Sequence, residues 1–136
     1  MKKIGFITKN KVLSQSLATI TKNYPELEVE PFIMLDPHQA PAYAEALKID
    51  VAVVDMAAYA SEESGAVWSL CETLRQTLPG CQILLLVSGD DKTGRDAAMT
   101  AAKEKIADDF VFDDSSLDYL FTKLLTLLRI QVKIHG

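Results

Sequence analysis

Asp55 sits at the end of the run Ile49-Asp50-Val51-Ala52-Val53-Val54-Asp55-Met56, where apolar residues follow one another without alternation. Such a run suits a strand buried on both faces of a parallel sheet. In open α/β sheets, ligands and chemistry gather just beyond the carboxyl ends of the strands, near the point where strand order reverses. Asp55 therefore marks a working edge. Three other apolar runs end in polar groups that this topology would bring beside it: Thr8-Lys9, Ser88, and Asp113-Asp114.

Other chemistry-bearing residues fit less well. Gly89-Asp90-Asp91-Lys92-Thr93-Gly94-Arg95-Asp96 lies between a strand and a helix, the context of a phosphate-binding loop. Such a loop needs Lys then Ser or Thr after its second glycine, and Asp90, Asp91 and Asp96 would repel phosphate. A turn with a solvated acidic loop is expected instead. Asp108, Asp109, Asp113 and Asp114 are oxygen-rich enough to attract a divalent cation. Alternation along a short strand scatters them, which favours solvated charge. Cys71 and Cys81 lack metal-ligand spacing, and with only His38 and His135 to help they build no zinc site. They read as buried, reduced thiols. His38 follows Pro37 in a loop with no Ser or Cys in a nucleophile setting, so no catalytic residue is assigned and the chain is not expected to be an enzyme. Trp68, beside a core stripe, is expected to cover core.

The elements that must position these groups alternate strictly. The first strand spans about Lys3 to Ile7 and is followed by a helix from Lys11 to Asn23, whose Leu13, Leu17 and Ile20 share a face. The second strand, Leu27 to Met34, contains Pro31, which cannot donate to a ladder and so belongs at a sheet edge. A short helix from Gln39 to Leu47 carries Tyr43 and Leu47 inward. After the central strand come an irregular loop, Ala57 to Ser61, and a helix from Glu62 to Leu78 with Val67, Leu70, Cys71, Leu74 and Leu78 as its core stripe. Pro79-Gly80 stops it. The fourth strand, Gln82 to Val87, is the most apolar and should be central. An alanine-rich helix from Arg95 to Ile106, a fifth strand from Asp109 to Phe112, and a last helix after Asp114-Ser115-Ser116 complete the series. The pattern predicts an α/β, flavodoxin-like (βα)5 three-layer sandwich with a parallel five-stranded sheet in strand order 2-1-3-4-5.

Composition agrees. A chain of 136 residues, 49% of them apolar, makes one domain with a well-filled core. A net charge of −5 without a basic stripe argues against a sequence-blind nucleic-acid binder. No apolar run approaches the roughly 20 residues of a membrane span, and Thr8-Lys9-Asn10 ends the first strand too early for a signal peptide. A soluble, cytoplasmic chain is expected.

With these segments in place, the chain resembles the receiver domain of two-component response regulators (the CheY-like superfamily) over nearly its whole length. Asp50 to Asp55, Leu84 to Ser88, and Ala107 to Val111 leading into Ser116 to Leu120 carry the likeness. The resemblance implies that Asp55 matches the phosphate-accepting aspartate, Ser88 the hydroxyl residue that binds the phosphoryl group, and Phe110 the aromatic switch. It also exposes departures. The acidic pair that holds Mg²⁺ in receivers is replaced by Thr8 and Lys9, the phosphoryl-neutralising lysine by Asp113, and the adjoining proline by Asp114. Phosphoryl transfer depends on cations that offset charge on the phosphoryl oxygens. The pattern is therefore that of an atypical pseudo-receiver with no cofactor, where neither Mg²⁺ binding nor phosphorylation is expected. The charges have traded sides, so Lys9 is expected to pair with Asp55 in place of the metal. The alternative leaves Lys9 in solvent and Asp55 capping the next helix or solvated in the loop.

The resemblance implies protein partners, a histidine kinase or an effector domain, and a homodimer through the last helix. That helix presents Leu117, Leu120, Phe121, Leu124, Leu125 and Leu128 on its core side, with Tyr119, Leu127 and Ile130 as apolar surplus suited to an interface. Residues 1–130 read as the receiver-like domain and 131–136 as a tail or the start of a linker. The competing readings are a flavodoxin-like carrier or small-ligand-binding domain, or a receiver still phosphorylated on Asp55. The carrier is the weaker, because no cysteine closes the first strand and no His-centred cofactor motif appears.

Overall fold

Five parallel strands, β1 (Lys2–Ile7), β2 (Val29–Met34), β3 (Val51–Asp55), β4 (Gln82–Val87) and β5 (Asp109–Phe112), form one sheet in the order β2-β1-β3-β4-β5. The computed structural model describes residues 1–25, 28–59 and 65–135. Among the described residues, five α-helices connect and follow the strands: α1 (Lys11–Asn23), α2 (Ala40–Leu47), α3 (Ala66–Thr77), α4 (Lys92–Lys103) and α5 (Leu117–His135). This is the flavodoxin-like sandwich that the strand–helix alternation predicts.

The unbroken apolar run in β3 has a direct cause. Val51 and Val53 enter a core with α1 and α5, through Leu17, Leu120 and Leu124, while Ala52 and Val54 enter a second core with α2, α3 and α4, through Ala44, Leu74 and Ala98. Both faces are covered, so both sets of side chains are apolar. Burying a side chain such as Leu17 or Leu124 contributes about 2 kcal/mol. Pro31 does lie on the outermost strand, opposite Ile4 of β1.

Side chains fix the helix starts. Asn10 accepts from the Leu13 N–H at 3.0 Å ahead of α1, Asp91 from the Gly94 N–H at 3.0 Å ahead of α4, and Ser116 from the Tyr119 N–H at 3.1 Å ahead of α5. The Asp91 cap starts α4 at Lys92 rather than Arg95, and Lys105, in the left-handed region at φ 59°, ends the segment early. Met56–Tyr59 forms a 3₁₀ turn where an irregular loop was expected. Leu27 and the Glu62 start expected for the third helix lie outside the described residues.

Two side chains depart from expectation. Tyr43 is half exposed at 52%, because Ala40 and Ala44 form the buried face of α2 and Tyr43 falls beside it. Leu127, expected as interface surplus, is buried at 6% with Leu120, Leu124 and Leu128. Positions i, i+4, i+7 and i+8 of a helix share a broad stripe, and α5 uses all four. The α5 backbone runs on to His135, across the boundary expected after residue 130, and the Ile130 side chain lies outside what is described.

At the amino edge of the sheet, acids are tied down. Asp50 accepts from the Lys3 N–H at 2.8 Å. Asp108 accepts from the buried Ile83 N–H at 2.7 Å and from the Arg75 guanidinium at 2.9 Å, while Arg75 also donates to the Cys81 carbonyl at 3.2 Å. Asp109 pairs with Lys123 at 2.7 Å.

Candidate functional site

The end of β3 places Asp55 at the carboxyl edge, only 9% exposed. A carboxylate so deep needs donors. Its Oδ2 accepts from the Thr8 hydroxyl at 2.7 Å, and its Oδ1 accepts from the Ala57 N–H at 3.1 Å, which is also what sets the first bend of the 3₁₀ turn. Thr8, 2% exposed, is itself held: its N–H donates to the Met34 carbonyl at 3.1 Å and its Oγ1 accepts from the Asn10 N–H at 3.1 Å. Because Asn10 then caps α1, a chain of hydrogen bonds runs from Ala57 through Asp55, Thr8 and Asn10 to Leu13.

This arrangement corrects the expected Lys9–Asp55 pair. Lys9 is exposed, and among the described residues it forms no ion pair. Successive residues leaving a strand point to opposite sides, so Thr8 turns inward and Lys9 outward. A hydroxyl donating to a carboxylate makes a short, charge-assisted bond without bringing a second charge out of water.

The remaining positions gather near Asp55 but do not neutralise it. Ser88, half-buried at the end of β4, accepts from the Asp90 N–H at 3.3 Å. Asp113 donates its N–H to the Val87 carbonyl at 2.9 Å. Partial burial, then the neighbouring charges of Asp55, Asp114 and Asp90, raise its carboxyl above the ordinary aspartate value. Asp114 leans over the β4–α4 loop, with Oδ2 3.4 Å from where a Cβ would stand on Gly89. The crevice is thus lined by like charges, and the expected trade of charges, with Lys9 in place of the metal, fails with the Lys9 pair.

Phe110 is half-buried on β5, edge to face with Phe112 at a centroid separation of 5.8 Å. Tyr119 is 48% exposed on α5, with the Lys123 ammonium 5.6 Å from its ring centre. The four acids singled out as a possible cation cluster are split by the length of β5, Asp108 and Asp109 at one end and Asp113 and Asp114 at the other. Cys71 and Cys81 are free and buried, and burial pushes their thiols up to about 11 and about 12, far from thiolate chemistry at neutral pH. His38 stands exposed, its N–H donating to Asp36 at 3.0 Å. What the sequence reading missed was the donor role of Thr8. A threonine closing one strand beside an aspartate closing its neighbour is the signal that could have found it.

No family model and no curated protein matches the sequence. Solved structures do. A CheY-like response regulator receiver domain protein from Methanospirillum hungatei superposes with a TM-score of 0.79 at 17% identity, covering 100% of this chain and 99% of that one. A two-component response regulator from Clostridium difficile gives 0.74 at 20% identity, over 95% and 97% of the two chains. The beryllofluoride-activated NtrC4 receiver domain dimer gives 0.76 at 17%, over 96% and 99%. The fold is therefore that of response regulator receiver domains.

The residues present do not fit the Mg²⁺ that such a fold implies. A hard cation of this kind needs several oxygen ligands. After β1 the chain offers a hydroxyl already donated to Asp55 and an ammonium turned outward. Among the described residues, no group of three His, Cys, Asp or Glu side chains is placed to hold a metal.

Proposed function

We propose that the chain is a receiver-like signal-transduction module, cytoplasmic and without turnover of its own, that transmits its signal by protein contacts rather than by phosphorylation of Asp55. The observation that carries this reading is the occupancy of Asp55: both oxygens accept from the chain's own donors, and Asp113 raises the negative charge where a receiver would lower it. A phosphoryl group arriving there would meet carboxylates in place of the cations that such transfer uses.

The contacts fall to α4, β5 and α5. Met99 is 54% exposed and Tyr119 48%, and Phe110 lies in a shallow groove beside Met99. Exposed large apolar side chains on these neighbouring elements suit a partner: a second copy of this chain, a kinase or an effector domain. Incubation with acetyl phosphate and Mg²⁺, and separately with beryllofluoride and Mg²⁺, tests the reading. Intact mass should show no phosphoryl adduct, and the backbone NMR spectrum should not move. An adduct that disappears in Asp55→Asn overturns it.

A further inference from the structure

We propose that the cavity between α3 and α4 is a binding site for a small aromatic cation, an aryl ammonium in chemical class. It has a volume of about 340 Å³ and opens beside the ends of β3 and β4. That volume is in the range of small-molecule sites, which are mostly apolar with a few placed polar groups. Val87 and Ala97 supply apolar wall, Tyr59 and Trp68 supply aromatic surface, and Ser88 and Asp91 supply polar groups.

Three observations select the charge of the ligand. Among the described residues no lysine or arginine lines the cavity, and the one charged residue in its wall is Asp91. One Asp91 oxygen accepts from the Gly94 N–H, so the carboxylate is fixed in place by its capping role while its charge remains available. The neighbouring edge adds the like-charged group of Asp55, Asp90, Asp113 and Asp114, which repels anions from this end of the sheet. Aromatic rings and a carboxylate together attract an organic cation, by the ring quadrupole and by charge. Tyr59 is held for this by the bond from its hydroxyl to the Pro37 carbonyl at 3.2 Å. The site stands whether or not Asp55 accepts a phosphoryl group.

Trp68 is the single tryptophan in the chain, so its fluorescence reports on the cavity alone. Phenyltrimethylammonium titrated into the full chain should change that fluorescence saturably, with a Kd of about 1 mM or tighter. Benzoate, of similar size and opposite charge, should not. Ala97→Phe fills the cavity from α4 and should weaken binding roughly tenfold or more. Asp91→Asn keeps an N-cap while removing the charge, and should weaken binding several-fold. Circular dichroism melts identify a variant that fails to fold, in which case the other decides. An absence of saturable change, an equal response to benzoate, or binding untouched in every folded variant overturns the proposal.

Discussion

At the amino edge of the sheet three acids each meet a donor: Asp50 the Lys3 amide, Asp108 the Ile83 amide and Arg75, Asp109 the Lys123 ammonium. At the carboxyl edge, partial burial and then the charges of Asp55, Asp114 and Asp90 raise the Asp113 carboxyl, and among the described residues none of these four acids forms an ion pair. The first edge is arranged for stability, with charges spent on closing strands and loops. The second keeps like charges together at some cost to stability, the kind of local conflict that folds tolerate at working surfaces.

Substitutions can break this contrast. The largest effect is expected at Asp108→Ala, which strands the buried Ile83 amide and leaves Arg75 without its carboxylate. A loss of about 2–3 kcal/mol in denaturant unfolding is expected. Thr8→Val keeps the shape but removes the hydroxyl, leaving one Asp55 oxygen and the Asn10 amide without that partner, for a loss of about 1–2 kcal/mol that Thr8→Ser should largely restore. The smallest effect, and of opposite sign, belongs to Asp113→Asn. Its carboxyl titrates higher in the folded chain than in the unfolded one, so the folded state holds the proton more tightly, and stability falls as pH rises through the carboxylate range. Removing that charge should raise Tm at neutral pH by about 1 °C and flatten the acid-to-neutral dependence. Were Asp113→Asn to cost as much as Asp108→Ala, the two edges would not differ in kind.

Much of this was legible in the sequence because single residues carried strong constraints. Pro31 put β2 at the margin, and the unalternating run before Asp55 required helices on both faces. The site was legible only in part. The carboxylate's partner was sought among charges, yet burial favours a hydroxyl, which satisfies Asp55 without desolvating an ammonium. The alanine-rich stretch points to a helix from Arg95, whereas the Asp91 cap on the Gly94 amide starts α4 three residues earlier. Leu127 falls outside a narrow core stripe in the sequence, yet α5 buries a broader one that includes it.

The direction of Pro31 has a further consequence. Met34 and Glu28 turn their carbonyls toward β1, accepting from Thr8 and Lys2 at 3.1 Å each. In a parallel ladder both backbone groups of a residue face the same neighbour, so the odd-numbered residues of β2 face away from β1 and Pro31 presents outward a position with no N–H. The β2 flank of the sheet therefore resists templating an extra strand, which guards that edge against edge-to-edge fibril growth.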